Sequence, residues 1–407
     1  MAKSMTYGPI RNKKELSALL DILAPTFNFS RAQGDDYSKI VGEKNYRVIR
    51  NGSTVVGGCA LLPLGQYFGG RSVPMIGVAA VAVAPEHRGR NTATTLMRSA
   101  VQEMHERGIA LSALYPATLP LYRSVGYEQA GVRFEIRIPA KTLSAKFADD
   151  GMEIRAITPA DEPAIRKVYH ARAAKAAGNL DRSDFNWHRV KAPRGQIACG
   201  YVVINAANRR AEGYCYYLQK DNASPPDAAH APLVMHVTDL VALTPAAGRA
   251  LLGFFARHRS MIDQVFFQGN PNDPILKLLP ERNYGARLLD HWMLRIVDVK
   301  AALQARGYPP LDAQLHLEVM DDLLEGNHGR FLLEIKSGKP RVSSGGRGEI
   351  RIDVRGLAAL YSSHLSPHEL QAIGQLTLAR ETRDADAALA EAQAVFAGPA
   401  PWLGDMF

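Results

Sequence analysis

Cysteine is scarce in this sequence, with three in 407 residues and no two at CxxC spacing. Cys59, Cys199 and Cys215 each stand among apolar or aromatic neighbours, which speaks against a disulfide framework or a metal centre. It predicts buried thiols in a reducing compartment. No apolar run approaches the length of a membrane span, and "MAKSMTYGPIRNKKELSALL" lacks the apolar core of a secretory leader. These absences predict a cytoplasmic protein with no membrane partner. Missing too is any long block of one charge: the net charge is +9, but lysine and arginine are dispersed. No nucleic-acid-binding signature occurs, so the basic excess is expected to meet a polyphosphorylated cofactor and not nucleic acid.

What is present is an ordinary globular composition, 46% apolar and 22% charged, on a chain long enough for two or three domains. Residues 1–145 alternate helices and strands. "KKELSALLDILAPTF" has helical spacing, and "NYRVIRNGSTVVGGCALLPLGQYFGG" reads as two strands turning at Asn51-Gly52. "PMIGVAAVAVAP" is apolar on both faces, as a central strand should be. The next helix places Ala93, Leu96, Met97, Ala100, Val101 and Met104 on one face and stops at Gly108.

Residues 146–300 repeat this outline. "HVTDLVALTPAAGRALLGFFARH" is again strand, proline and helix, and "HWMLRIVD" follows Pro245 at nearly the distance that "FEIRIP" follows Pro85. The pattern predicts an internal duplication. "PAAGRALL" stands where the first copy has "PEHRGRNTA", so the second copy has lost the loop's polar chemistry and is read as structural. Residues 301–407 change character: "LHLEVMDD", "GRFLLEIKSG" and "GEIRIDV" alternate like antiparallel strands, and three helices and a short coil, "PAPWLGDMF", follow. This predicts an α+β third domain ending in a tail with few core contacts.

The informative stretch is "VAVAPEHRGRNTATTL". An apolar strand runs through a proline into Arg88-Gly89-Arg90 and directly into a helix. Helix N-termini offer free N–H groups and the positive dipole end, flanking arginines add charge-assisted bonds, and glycine permits close backbone approach. The expected ligand is a phosphate.

Strand, Pro-x-x-Arg-Gly, helix and then "LYRSVGY" resembles the acyl-CoA-binding core of the GNAT N-acetyltransferases. The order and length of all three parts resemble the Eis-like acetyltransferases, over essentially the whole chain. The resemblance implies two tandem GNAT-type α/β domains, the second degenerate, followed by a sterol-carrier-like α+β domain. It also implies an acetyl-CoA-dependent amine N-acetyltransferase with acetyl-CoA as co-substrate, no metal, and trimeric or hexameric assembly.

Carried onto this sequence, Val81, Ala82 and Val83 would lie along pantetheine and the acetyl group. Arg88, Gly89, Arg90, Asn91, Thr92, Ala93 and Thr94 would hold the pyrophosphate. Asn91 stands where the family usually has a second loop glycine, and asparagine tolerates the left-handed conformation that such a loop needs. Tyr122 is the implied general acid for the CoA thiolate, being protonated at neutral pH. Tyr127 looks like a packing residue. The implied base is the α-carboxylate of Phe407, with Trp402 and the prolines steadying the tail. The resemblance also implies aminoglycoside-like polyamines, with antibiotic resistance as the consequence. A polycation needs local negative charge, for which Asp35, Asp36 and Asp405 are candidates, with Phe27 and Phe29 as apolar walls. The alternative is a lipid- or apolar-ligand-binding protein working through the third domain, against which the alanine-rich "DADAALAEAQAVFAG" argues for tight packing.

Overall fold

The computed structural model describes residues 5–144, 151–221, 233–380, 382 and 384–407. The first copy opens with β1 (Met5–Pro9), α1 (Lys13–Phe27) and α2 (Arg31–Val41), then the hairpin β2 (Tyr46–Asn51) and β3 (Thr54–Phe68). Asn12 caps α1 by accepting from the Glu15 N–H at 3.1 Å, and Ser30 and Gln33 form a capping box on α2. Gly52 adopts φ +63, which the tight turn of the hairpin requires. There follow β4 (Arg71–Val83), α3 (Thr92–Glu106), β5 (Leu111–Leu114), α4 (Leu119–Arg123) and β6 (Glu128–Pro139).

The second copy holds β7 (Met152–Ala156), α5 (Glu162–Ala173), β8 (Leu180–Asp181), α6 (Asp184–Lys191), β9 (Cys199–Asn205) and β10 (Ala211–Asp221). It closes with β11 (Leu233–Ala242), α7 (Pro245–Ala256), β12 (Ile262–Gly269) and β13 (Gly285–Ile296). The expected boundary at residues 145–146 lies outside the described residues.

Both copies share one 13-stranded sheet, ordered β1-β2-β3-β4-β5-β13-β6-β12-β11-β10-β9-β7, with β8 paired to β3. Replace each strand of that path by its counterpart in the other copy and the order reads the same backwards. The duplication is therefore folded about a pseudo-two-fold axis between β13 and β6. The last strand of each copy has been exchanged: β13 pairs with β5, and β6 pairs with β12.

The third part contains α8 (Val299–Ala305), β14 (Ala313–Met320), β15 (Gly329–Lys336), β16 (Lys339–Ser344), β17 (Ile350–Asp353), α9 (Val354–Tyr361), α10 (Pro367–Ala372), β18 (Leu376–Leu378) and α11 (Ala385–Val395). Its sheet is not the purely antiparallel one expected. It has five strands, β16-β15-β14-β17-β18, and β14 and β17 run parallel. The chain returns to the free edge of β14 after the β15–β16 hairpin, and that crossover sets the direction. This domain is not appended loosely. Leu357, Ala358 and Tyr361 of α9 share one buried core with Trp292 and Leu294 of β13. The buried Arg295 guanidinium is also paired with Asp321 at 2.7 Å.

The tail is likewise part of the core and not the loose coil expected. Leu403 is fully buried. Its N–H donates to the Val132 carbonyl at 3.1 Å, the Val132 N–H donates to the Pro401 carbonyl at 3.2 Å, and the Trp402 N–H donates to the Ala177 carbonyl at 3.1 Å.

Candidate functional site

β4 pairs with β5 only at Met75, Ile76 and Gly77, and then runs on to Val83 with β3 alone beside it. From Val78 onward one edge is open. A bulge opposite Cys59 puts Ala80 at φ +52, a conformation that an alanine adopts at a cost in strain. The bulge leaves Ala79 and Ala80 together on one face of the strand, with Val78 and Val81 on the other.

The strand leads into the loop singled out from the sequence. Arg88, Gly89 and Arg90 are exposed, and Gly89 has φ +70 with open space where a Cβ would stand. Asn91 takes the left-handed conformation, φ +58, and makes no cap bond with its side chain. The first N–H groups of α3, from Thr92, Ala93 and Thr94, thus face an uncapped helix start. Thr92 is buried and its hydroxyl donates to the His87 carbonyl at 2.9 Å, which fixes the loop. One detail departs from expectation: the Val83 carbonyl accepts from Arg88 Nε at 3.0 Å, so it is already engaged. Arg90 makes no side-chain hydrogen bond or ion pair among the described residues.

The two faces of β4 carry different groups. On the α3 face, Tyr122 packs with Val78, Leu96 and Met97, and its ring meets that of Tyr127 at 6.1 Å. Burial, with a smaller contribution from Cys59, pushes the Tyr122 phenol up to about 12. Its hydroxyl has no hydrogen-bond partner among the described residues and is not sealed from the surface. Tyr127 differs: its hydroxyl is bound to Ser112 Oγ at 2.7 Å inside the core.

On the α1–α2 face, the Phe407 ring packs beside Leu64, Ala79 and Ala80. The residues leading to it are held from two sides. Tyr115 of the first copy points its hydroxyl at the carbonyls of Leu403 (2.8 Å) and Asp405 (3.1 Å). Arg182 of the second copy binds Asp405 at 3.0 Å and Asp239 at 2.5 Å, with its cation 3.8 Å from the Tyr169 ring centroid.

Several expectations about this face need correction. Asp405 is not a free anion: its side chain is buried and shared with Arg182. Asp35 is paired with Arg31 and Asp36 with Lys39, as spacing of three or four along α2 allows. Phe27 ends α1 with 48% of its surface exposed, while Phe29, past the turn, joins the apolar wall. Cys199 is exposed and not buried, since the second copy's outer strands have one open face. The sequence reading also missed Tyr37, Phe185 and Arg189. Phe185 and Arg189 lie one turn apart on α6, but nothing local indicates that α6 crosses to the first copy.

The description "Acetyltransferase (GNAT) domain" matches residues 10–130 and, by a second family, residues 178–296, while "Sterol carrier protein domain" matches residues 299–404. A Streptomyces griseus protein named "Uncharacterized N-acetyltransferase" is 32% identical over 361 residues, covering 83% of each chain. The chain belongs to the GNAT superfamily of N-acetyltransferases, in its Eis-like branch. "N-acetyltransferase Eis" of Mycobacterium tuberculosis is 28% identical, covering 76% of each chain. A crystal structure of a GCN5-related N-acetyltransferase from Anabaena variabilis is 36% identical with a TM-score of 0.90, covering 99% of this chain and 100% of that one.

The second GNAT copy has the same splayed strands but a different connection to its helix. β11 splays from β12 past Val237, as β4 does from β5, and a cavity of about 300 Å³ lies there against Trp402 and Asp405. But β11 ends at Ala242 and α7 starts at Pro245, with Thr244 already capping it by accepting from the Ala247 N–H at 3.2 Å. No loop is left to receive a diphosphate.

Proposed function

We propose that this GNAT enzyme transfers an acetyl group from acetyl-CoA to an amine in the first copy only. The open edge of β4 running into the exposed Arg88–Thr94 loop, with Tyr122 on one face and Phe407 on the other, carries this reading. The loop fits a diphosphate: free helix N–H groups, an unpaired arginine at Arg90 and open space over Gly89. Acetyl-CoA, when bound, supplies the activated acyl group.

Tyr122 donates its proton to the departing thiolate sulfur, a role its raised pKa suits, because the phenol stays protonated at every working pH. The α-carboxylate of Phe407 takes the amine proton on the opposite face, through water. Tyr115 and Arg182 are positioning residues for that tail. Acid and base on opposite faces of one splayed strand keep the two proton transfers apart. The second copy contributes Arg182, and the third domain delivers the tail. We also propose that the chain forms a trimer or hexamer and works in the cytoplasm; sedimentation as a monomer at micromolar concentration would remove the first claim.

The polyamine reading, with aminoglycosides as acceptors, rests on the resemblance alone, because the three carboxylates expected to serve it are each paired. The lipid-binding reading finds little support: the cleft beside Leu360, His364 and Phe396 in the third domain is about 150 Å³, too small for a sterol. The deciding experiment is thiol release from acetyl-CoA against a panel of amines, with calorimetry for the number of cofactor sites. No amine-dependent thiol release, or two cofactor sites per chain, would refute the proposal.

A further inference from the structure

The second copy has lost the diphosphate loop but kept an open strand edge, and that edge faces a cavity. β11 and β12 are paired as far as Val237 and Phe267 and then separate around a space of about 300 Å³. Beyond that point β11 is paired with β10 alone. The Leu243 N–H donates to the Glu212 carbonyl at 2.8 Å, in register with the ladder that sets Ala242 opposite Gly213 and Leu240 opposite Cys215. Backbone groups alternate sides along an antiparallel ladder, so Val241 and Asp239 bond to β10. Leu240 and Ala242, which both line the cavity, turn their N–H and C=O groups to the open side. No other residue among those described bonds to these four groups.

The walls narrow the kind of molecule that would pair with this edge. Val237, Phe267, Ile275 and Leu278 supply apolar surface. The charged side chains lining the cavity are three cations and three carboxylates. Arg172 is paired with Asp273 at 3.0 Å, Arg182 binds both Asp239 and Asp405, and Lys175 stands exposed. Charge is therefore balanced. Phe407 is not among the lining residues, since its ring packs beside Ala79 and Ala80 of the first copy. Gln268 adds a neutral donor: its Oε1 accepts from Arg133 at 3.3 Å, which leaves the N–H groups of Nε2.

We propose that this cavity is a second ligand site, which takes an uncharged, extended amide chain bearing an apolar side group. The chain adds a short strand to β11, its own N–H and C=O groups pairing with those of Leu240 and Ala242. Its side group lies against the apolar wall. A ladder edge needs a donor and an acceptor at strand spacing, which a peptide-like diamide supplies. Balanced charge gives an ion no net attraction, and an ion would lose its hydration against these walls. A space of this size is at the small end for ligand pockets and holds about one residue with its flanking amides. The site touches neither Tyr122 nor the Arg88–Thr94 loop, so it is separate from acetyl transfer.

N-acetyl-leucine N-methylamide is a suitable probe, with two amides, one apolar side chain and no charge. Trp402 lines the cavity, while Trp187 and Trp292 are fully buried elsewhere, so occupancy should change Trp402 emission. With coenzyme A saturating, to cover the open edge of β4 without acetyl transfer, the probe should bind with a Kd of about 1 mM or tighter, a fragment's affinity. N-acetyl-leucine and leucine N-methylamide each replace one amide by a charge, and each should bind at least about threefold more weakly. Ala242→Pro deletes an N–H that the ladder does not use, at a strand end where proline is tolerated, and should weaken the probe about threefold to tenfold. Ala242→Ser keeps that N–H and should bind as wild type does. Should Ala242→Pro not fold, Leu243→Phe puts a ring at the half-exposed rim and should weaken binding by a similar factor. No saturable change, a Kd that the folded variants leave unmoved, or tighter binding of N-acetyl-leucine would overturn the proposal. Calorimetry with acetyl-CoA on the same preparation reports on the transfer site separately.

Discussion

Gly77 and Phe407 are fitted to each other: a Cβ on Gly77 would stand 2.7 Å from Cδ2 of the Phe407 ring and 2.8 Å from Leu64 Cδ1. Gly77 needs no unusual backbone, so alanine there acts through the clash alone. Gly77→Ala should push the terminal residue off β4 and lower kcat by up to about a hundredfold, the scale of an ångström-sized misplacement. The acetyl-CoA Kd should hardly change, since the loop is remote. Steady-state kinetics with calorimetry checks this; wild-type kcat would show that the tail's position is immaterial.

Tyr122→Phe removes a hydroxyl without a hydrogen-bond partner among the described residues, so stability should be nearly unaffected. Turnover should fall about 10²–10⁴-fold, the usual contribution of a general acid. Because burial raises the phenol to about 12, wild-type rates should show no alkaline loss from this group below about pH 10, the ordinary tyrosine value. An alkaline limb near pH 8 that vanishes in Tyr122→Phe would contradict the assignment.

Arg90→Ala should weaken acetyl-CoA binding at least about tenfold, from loss of one charge-assisted bond worth about 1.5–3 kcal/mol. Arg88→Ala should also free the Val83 carbonyl, so its effect mixes loop shape with charge. Calorimetry on both variants, with one site per chain in the wild type, is the check.

Extension beyond Phe407 should abolish acetylation, because it moves the α-carboxylate and adds bulk beside Ala79 and Ala80. Phe407→Leu keeps the carboxylate and most of the apolar volume and should retain much of the activity. Removal of residues 401–407 is the poorer test: Leu403 is core, and its loss would lower Tm as well. A C-terminal tag that leaves turnover intact would refute the role.

The Glu15–Arg50 pair ties α1 to β2 with the guanidinium almost fully buried, 1% exposed. Hydrogen bonds from Arg50 lower the Glu15 carboxyl to about 2. A depressed carboxylate stabilises the fold above its unfolded pKa, near 4.5, and that stability disappears as pH falls through about 2. Glu15→Gln should therefore cost on the order of 2 kcal/mol near neutral pH, and the gap to wild type should close on acidification. Chemical denaturation at pH 7 and pH 3 tests this.

Much of this was legible in the chain. Alternation and turn residues locate the β2–β3 hairpin, Gly108 closes the hydrophobic stripe of α3, and Arg88-Gly89-Arg90 marks an anion site, because each signal is carried by residues close in sequence. The short edges β16 and β18 were not legible, since "KPRVSS" has a single aliphatic residue and "LTL" is too short to establish a period.

By itself the sequence determined two similar copies, the loss of loop chemistry from the second, and the separate composition of the last hundred residues. All are matters of local pattern and spacing. Only the tertiary structure decided the exchange of β6 and β13, the burial of the tail and the pairing of Asp405 with Arg182, whose partners lie far apart in the chain. It also brought Phe185 and Phe407 onto one apolar cluster. Like charges and rings hundreds of residues apart leave no trace in local periodicity; burial, register and pairing across the sheet select which of them meet.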